Sequence, residues 1–175
     1  MKIKLHTLFA FLALAIVSCS VIDNLLTFNI SQQYSFEVPS GIPVGIPLST
    51  STPDMTNDSS QEFENNNSNV NLVKDVRLKE LKLTITDPAE QTFSFLKSIH
   101  LYISTNDNDE IEIAYLDDIN TNEKYINLTS TNKKLDKYIK ASSFKIRAVA
   151  VTKETVTNNI AINADIKFRV TADPL

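Results

Sequence analysis

From Ile160 to Val170 the chain alternates: Ile160, Ile162, Ala164, Ile166, Phe168 and Val170 take every second place, with Asn163, Asp165, Lys167 and Arg169 among the residues between them. Successive side chains of a strand point to opposite faces, so this spacing puts one apolar and one wet face on a single strand. A helix would scatter the same residues around its circumference. The pattern recurs at Phe28, Ile30, Gln32, Tyr34, Phe36 and Val38. It recurs again at Ile99, Leu101 and Ile103, with His100 and Tyr102 outward, and at Ile111, Ile113 and Tyr115, with Glu110 and Glu112 outward. Strands with one wet face pair antiparallel. Asn106 to Asp109 supplies the turn that makes the last two a hairpin.

Departures from strict alternation carry information of their own. In Val76–Thr86, Val76 and Leu78 share one phase, while Leu81, Leu83 and Ile85 share the other. The switch at Lys79-Glu80 predicts a β-bulge, in which one extra residue restores the facing. Gln32 sits on an apolar face and needs a hydrogen-bond partner once buried. Gly41 to Leu48 puts Ile42, Val44, Ile46 and Leu48 on one face and Pro43 and Pro47 on the other, which predicts an edge strand or an extended segment against an edge. Ser49 to Ser60 reads as an exposed loop, and Ser59 with Glu62 as a capping box for a short helix near Gln61 to Asn66.

The second half reads in the same terms. Pro88 to Leu96 holds one helical turn that brings Phe93 and Leu96 onto the core. Tyr125 to Thr129 is a short strand, and Thr131 or Asn132 caps a helix through Lys140 with Leu135, Tyr138 and Ile139 on one face. Phe144 to Lys153 is apolar on both faces in its later part, as suits a central strand. The predicted fold is mainly β: an antiparallel β-sandwich of about eight strands with one or two short helices, with a jelly roll or a partly closed barrel as the alternative.

The N-terminus sets where such a domain works. Lys2 and Lys4 precede a continuous apolar run from Leu8 to Val17, the layout of a secretory signal and short of the roughly 20 residues that span a bilayer. Ile16-Val17-Ser18-Cys19 resembles the lipobox of bacterial lipoproteins. The resemblance implies that residues 1–18 are removed, that Cys19 receives a diacylglyceryl group and acylation of its new amino group, and that 19–24 form a tether to a domain over 25–175. Two or three acyl chains hold firmly where one holds marginally. With Phe95–Ser104 and the Phe168-Arg169-Val170 ending, the chain looks like small lipoproteins of Bacteroidota-type bacteria, a likeness that carries no activity and no catalytic residues. It implies an outer-membrane location, on the periplasmic face or the cell surface, and Ser20 beside the Cys is compatible with that sorting.

Composition narrows the function. The net charge is −4, and the leader holds Lys2 and Lys4 but no acid, so the mature chain is more acidic still. Nucleic acid wants clustered Lys and Arg, and is not an expected partner. The single Cys is Cys19, which leaves no disulfide, thiol nucleophile or Cys-based zinc site. With only 2 Gly, turns fall to Asn, Asp and Pro.

Once the leader is gone, His100 is the one histidine, so any Ser-His-Asp triad would use it; Ser98 and Ser104 flank it without implying that geometry. No nucleophile elbow, His pair or Gly-rich phosphate loop is present, and no catalytic residue is assigned. In Asn106-Asp107-Asn108-Asp109-Glu110, Asp107 and Asp109 are the candidate oxygen ligands for Ca²⁺, with Asp117-Asp118 as further donors if the loops cluster. Counted from Asp107, the EF-hand loop pattern fails, since Glu112 stands where Gly is needed and Asp118 where Glu is needed. No cofactor beyond that calcium is implied. The expected function is a non-enzymatic, lipid-anchored binding or structural module of the cell envelope. Its partners are the membrane, through the N-terminal lipid, and an envelope protein or glycan. The alternative is a surface glycan- or protein-binding lipoprotein assisted by calcium.

Overall fold

Ten strands and one short α-helix make up the described part of the computed structural model, which covers residues 27–52, 54–56, 68 and 70–172. The leader, Cys19, the whole 19–24 tether and the 61–66 helix lie outside these residues. In chain order the strands are β1 (Thr27–Val38), β2 (Leu48–Ser51), β3 (Met55–Thr56), β4 (Val73–Asp87), β5 (Leu96–Ser104), β6 (Ile111–Leu116), β7 (Tyr125–Asn127), β8 (Thr129–Ser130), β9 (Ser143–Thr152) and β10 (Ile160–Ala172); α1 (Asp136–Lys140) precedes β9.

All pairings are antiparallel. One sheet has the order β1-β10-β4-β7, and the other β2-β9-β5-β6-β8, with β3 also paired to β9. The pairs are nested. β5 lies beside β6, β4 beside β7, β2 beside β9, and β1 beside β10. The chain therefore doubles back at the 106–109 turn into one long ribbon, and the ribbon is wrapped so that its two arms change sheets together. Eight strands wound this way are a jelly roll, the form of sandwich held as the alternative above. β3 and β8 are two-residue additions to it.

The core fills the space between the sheets. β10 is buried at every second residue from Ile160 to Ala172, as its alternation requires, and it pairs over its length with β4 and β1. Each such side chain taken fully out of water contributes roughly 1.5–3 kcal/mol. The bulge in β4 falls where the phase switch placed it. Leu78 pairs with Phe168 and Glu80 with Lys167, so Lys79 is the extra residue, and Val76, Leu78, Leu81, Leu83 and Ile85 all face inward. Gln32 keeps its apolar-face position because Tyr34 Oη donates to its Oε1 at 2.7 Å. A 3-10 turn at Phe93–Phe95, capped by the Thr92 hydroxyl, buries Phe93, Phe95 and Leu96.

Four expectations change. Gly41 to Leu48 is not an extended face. Gly41 and Gly45 have φ of +81° and +76°, which turn the chain, so Ile42 is buried while Val44 and Ile46 are exposed. The two glycine amides dock instead on Val156 O and Thr152 O at 2.8 and 2.9 Å. Ser49 to Ser60 is not loop throughout, because β2 and β3 pair with β9 and satisfy its edge. The helix is shorter than predicted. Thr131 does not cap it, since its amide and hydroxyl both bond back to β6, and Asn132 lies at φ +55°. Leu135, Tyr138 and Ile139 are nevertheless buried together, and the Leu135 amide bonds Val76 O at 2.7 Å. The strand expected at Tyr125–Thr129 changes sheets at Leu128. Tyr125–Asn127 pairs with β4, and Thr129–Ser130 pairs with β6.

Candidate functional site

The outer face of the β9-β5-β6 sheet carries the densest group of chemistry-bearing side chains. Register builds it. His100 lies between Val149 on β9 and Tyr115 on β6; Tyr102 lies between Arg147 on β9 and Glu112 on β6. Directly opposed residues of antiparallel strands share a face, so these side chains form two adjacent rows.

A bulge in β6 decides the membership. Leu101 pairs with Ala114 and Tyr102 with Glu112, which leaves Ile113 as an extra residue. Ile113 and Ala114 are both buried, and Tyr115 is turned outward rather than inward as its alternation with Ile111 and Ile113 predicted. Tyr115 then stacks on the His100 ring, with centroids 6.0 Å apart and planes 18° from parallel. Ala114, a small side chain between two larger apolar ones, is the only local hint of the shift.

His100 is held by two carboxylates. Its Nδ1 is 2.6 Å from Glu112 Oε1, and its Nε2 is 3.1 Å from Asp117 Oδ1. The Glu112 hydrogen bond raises its pKa above 6.5, partial burial opposes this, and Asp117 adds to the rise. The protonated ring donates from both nitrogens, which a neutral imidazole cannot do. This is an ion-pair clamp between β5 and the two ends of β6. The acceptors are not hydroxyls: Ser98 and Ser104 lie two and four residues along the strand, in register with Val151 and Lys145.

Beside it, Arg147 grips Glu110 through two bonds, Nε to Oε2 at 2.8 Å and Nη2 to Oε1 at 2.5 Å, while Nη1 donates to Ser49 Oγ at 3.2 Å. Its guanidinium carbon lies 4.4 Å from the Tyr102 ring centroid. Planar bidentate pairs are among the stronger exposed interactions. Arg147 lowers the pKa of Glu110 and is raised in turn by it. Three strands are thus tied across their wet face by β2's Ser49, β9's Arg147 and the Glu110 that leads into β6.

The two acidic-turn residues part company. Asp109 accepts from Thr105 N at 2.9 Å, from Asn106 N at 3.1 Å and from the Thr105 hydroxyl, and pairs with Lys137 Nζ at 2.8 Å. Lys137 above all, and then Thr105, hold its carboxyl far below the usual carboxylate range. The turn is closed by this side chain, as befits a Gly-poor chain. Asp107 is exposed at the tip of the same turn, and Asp118, at φ +48°, is exposed while Asp117 turns to His100. Among the described residues no group of three or more His, Cys, Asp or Glu is placed to hold a metal. The carboxylates around His100 lie on opposite edges of its ring and do not converge.

A second concavity, about 550 Å³, lies over the β1-β10-β4-β7 sheet. In it Lys167 pairs with Glu80 at 2.6 Å, Gln33 donates to Asp165 at 2.7 Å, and Lys82 lies over the Tyr125 ring.

The sequence places His100, Tyr102, Glu110 and Glu112 on the wet face of one hairpin but does not reveal Tyr115, Arg147 or Ser49 beside them. Arg147 and Glu110 are 37 residues apart, and Arg147 and Ser49 are 98 apart. No spacing motif links them, and only strand register brings them together.

No family model matches this sequence, and no curated protein is similar to it. Among solved structures, the chain is similar to the decameric BFDV capsid protein, at 10% identity over 83% of this chain and 98% of that one, with a TM-score of 0.41. It is also similar to turnip yellow mosaic virus, at 13% identity over 85% and 95%, and to desmodium yellow mottle tymovirus, at 12% over 85% and 90%, each with a TM-score of 0.31. The jelly-roll assignment rests on the strand order, and these distant likenesses add nothing to it.

Proposed function

We propose that this chain is a lipid-anchored binding module of the cell envelope, tethered through Cys19, which recognises its partner with the outer face of the β9-β5-β6 sheet and performs no catalysis. One observation supports this above the rest: Arg147, Tyr102, His100 and Tyr115 are held in fixed geometry on an exposed sheet face by Glu110, Glu112 and Asp117. Side chains already ordered before an encounter lose little entropy on binding. Tyr and Arg are also the residues that dominate recognition surfaces. Such a face suits a polar partner with planar or hydroxylated groups, an envelope protein or a glycan. The reading as a binder rather than an enzyme draws on His100, whose two ring nitrogens both face carboxylates and not a nucleophile.

Two measurements test the two halves. In cells fed an alkynyl fatty acid, the intact chain takes up the label and Cys19→Ser does not; a labelled Cys19→Ser, or an unlabelled wild type, overturns the anchor. A photo-crosslinking residue at Tyr115 gives a discrete adduct in intact cells, whereas one at Lys82, on the opposite sheet, does not. Equal labelling from both positions overturns the assignment of the face.

A further inference from the structure

The sandwich is closed unevenly. On β10, Ile162, Ala164, Ile166 and Phe168 are buried. On the neighbouring β1, the inward-facing Tyr34, Phe36 and Val38 are only half-buried, and so are Ile146, Ala148 and Ala150 on β9 across from them. The two sheets part along the side where β1 and β2 form their edges. Between them lies a cavity of about 200 Å³, walled by Leu83, Ala164 and Ile166 from one sheet and Leu101, Ile146 and Ala148 from the other. A narrower space beside it shares the walls Phe36, Leu83 and Ala148 and reaches Phe93 and Phe95. Two alanines line it, Ala148 and Ala164, beside the larger Ile146 and Ile166, and that missing volume opens the gap.

We propose that this inter-sheet cleft binds a single unbranched aliphatic chain carrying an uncharged, hydroxyl- or ester-bearing head. Its walls are aliphatic, and a void of this kind takes an apolar guest in preference to water. Sheets of a sandwich pack about 10 Å apart, which leaves a layer one chain thick rather than a broad pocket. From Tyr34 to Val38 the slot follows β1 for four residues, roughly 13 Å at strand rise. At the mouth Thr50, in register with Ala148, shares its inward face, and Ser35, Ser51 and Thr52 line the rim. Among the described residues lining the cleft Glu37 is the one charged side chain; it stands at the rim on the wet face of β1 and accepts from Asn159 at 2.6 Å. A carboxylate head would therefore meet a like charge, while a glycerol or alcohol head meets donors and acceptors.

The test uses full-length Cys19→Ser protein, so that no acyl chain held by that thiol competes. Equilibrium dialysis with radiolabelled 1-monododecanoylglycerol should show saturable one-site binding, with dodecanoate at least tenfold weaker at pH 7.5. Ala148→Leu fills the cleft and should weaken binding at least tenfold while leaving the unfolding temperature equal or higher. If Ala148→Leu loses cooperative unfolding, Ala164→Val supplies the same comparison. The apolar leader is present in every version, so the difference between them reads the cleft alone. Absence of saturable binding, unchanged affinity in the filled variant, or tighter binding of dodecanoate than of the glyceride overturns the proposal.

Discussion

Deleting Lys79 should cost this protein far more than replacing it. Lys79 is the exposed extra residue of the β4 bulge, and Leu78 and Leu81 on either side of it both face the core. Without it, one half of β4 must turn over relative to β10, since a one-residue slip exchanges the two faces of a strand. The cheaper outcome keeps Leu81, Leu83 and Ile85 inside and turns out Val76 and Leu78, which are 0% and 4% exposed. At about 1.5–3 kcal/mol per side chain, the loss is roughly 3–6 kcal/mol. Arg77, now bonded to Asp75 at 2.9 Å and partly exposed, would swing inward and add a desolvation cost. A domain's whole stability is about 5–15 kcal/mol. The deletion should therefore lower the unfolding temperature by roughly 6–24 °C, at about 2–4 °C per kcal/mol for a chain of this size. Lys79→Ala keeps the bulge and should stay within about 0.5 kcal/mol of wild type. Thermal and urea unfolding followed by far-ultraviolet circular dichroism reads both. A deletion variant that unfolds within about 2 °C of wild type would falsify the bulge as the device that sets the facing of β4.

Four other outcomes follow from the geometry. Because Glu112 and Asp117 raise the folded-state pKa of His100, its clamp contributes fully below about pH 6.5 and fades as pH rises through the folded value; unfolding temperatures from pH 5 to 9 should show that decline, and His100→Gln should flatten it. Asp109 has a depressed pKa, so its contribution is present above the ordinary carboxylate pKa and is lost as pH falls toward the folded value. At neutral pH, Asp109→Ala should lower the unfolding temperature clearly more than Asp107→Ala, with equal effects counting against its role in closing the turn. Phe93→Ala empties a side chain that is 0% exposed and should cost about 3–5 kcal/mol in denaturant unfolding. Millimolar Ca²⁺ should leave the unfolding temperature where a chelator leaves it, whereas a calcium-dependent rise would restore Asp107 and Asp109 as ligands.

Most of the strands were legible because their signal is local. The alternations at β1, β5 and β10 mark which residues face inward, and the phase switch at Lys79-Glu80 marks a bulge before any partner strand is known. The signal failed where a backbone irregularity leaves no phase change in the apolar residues. In β6, Ile111, Ile113 and Tyr115 read as one face, yet the extra residue at Ile113 sends Tyr115 out. In Gly41 to Leu48 the apolar spacing is clean, but two glycines in left-handed backbone break the extended chain that the spacing presumes. β2 and β3 have no apolar period to read; Ser49 and Ser51 take part because β9 offers an unpaired edge.

Side-chain period alone settled the class of this protein, since alternation at two residues admits sheets with one wet face and little else. It could not settle which strand lies beside which. A strand's pattern says what faces the core, not who sits at its edge, and the entropy of closing a loop rises too slowly with length to select a partner by distance along the chain. That choice belongs to the wrapped ribbon, which sets β1 beside β10 and β2 beside β9. From it come the two features proposed to act: the Arg147, Tyr102, His100 and Tyr115 rows, assembled across strands, and the cleft, opened where two edges part over two alanines.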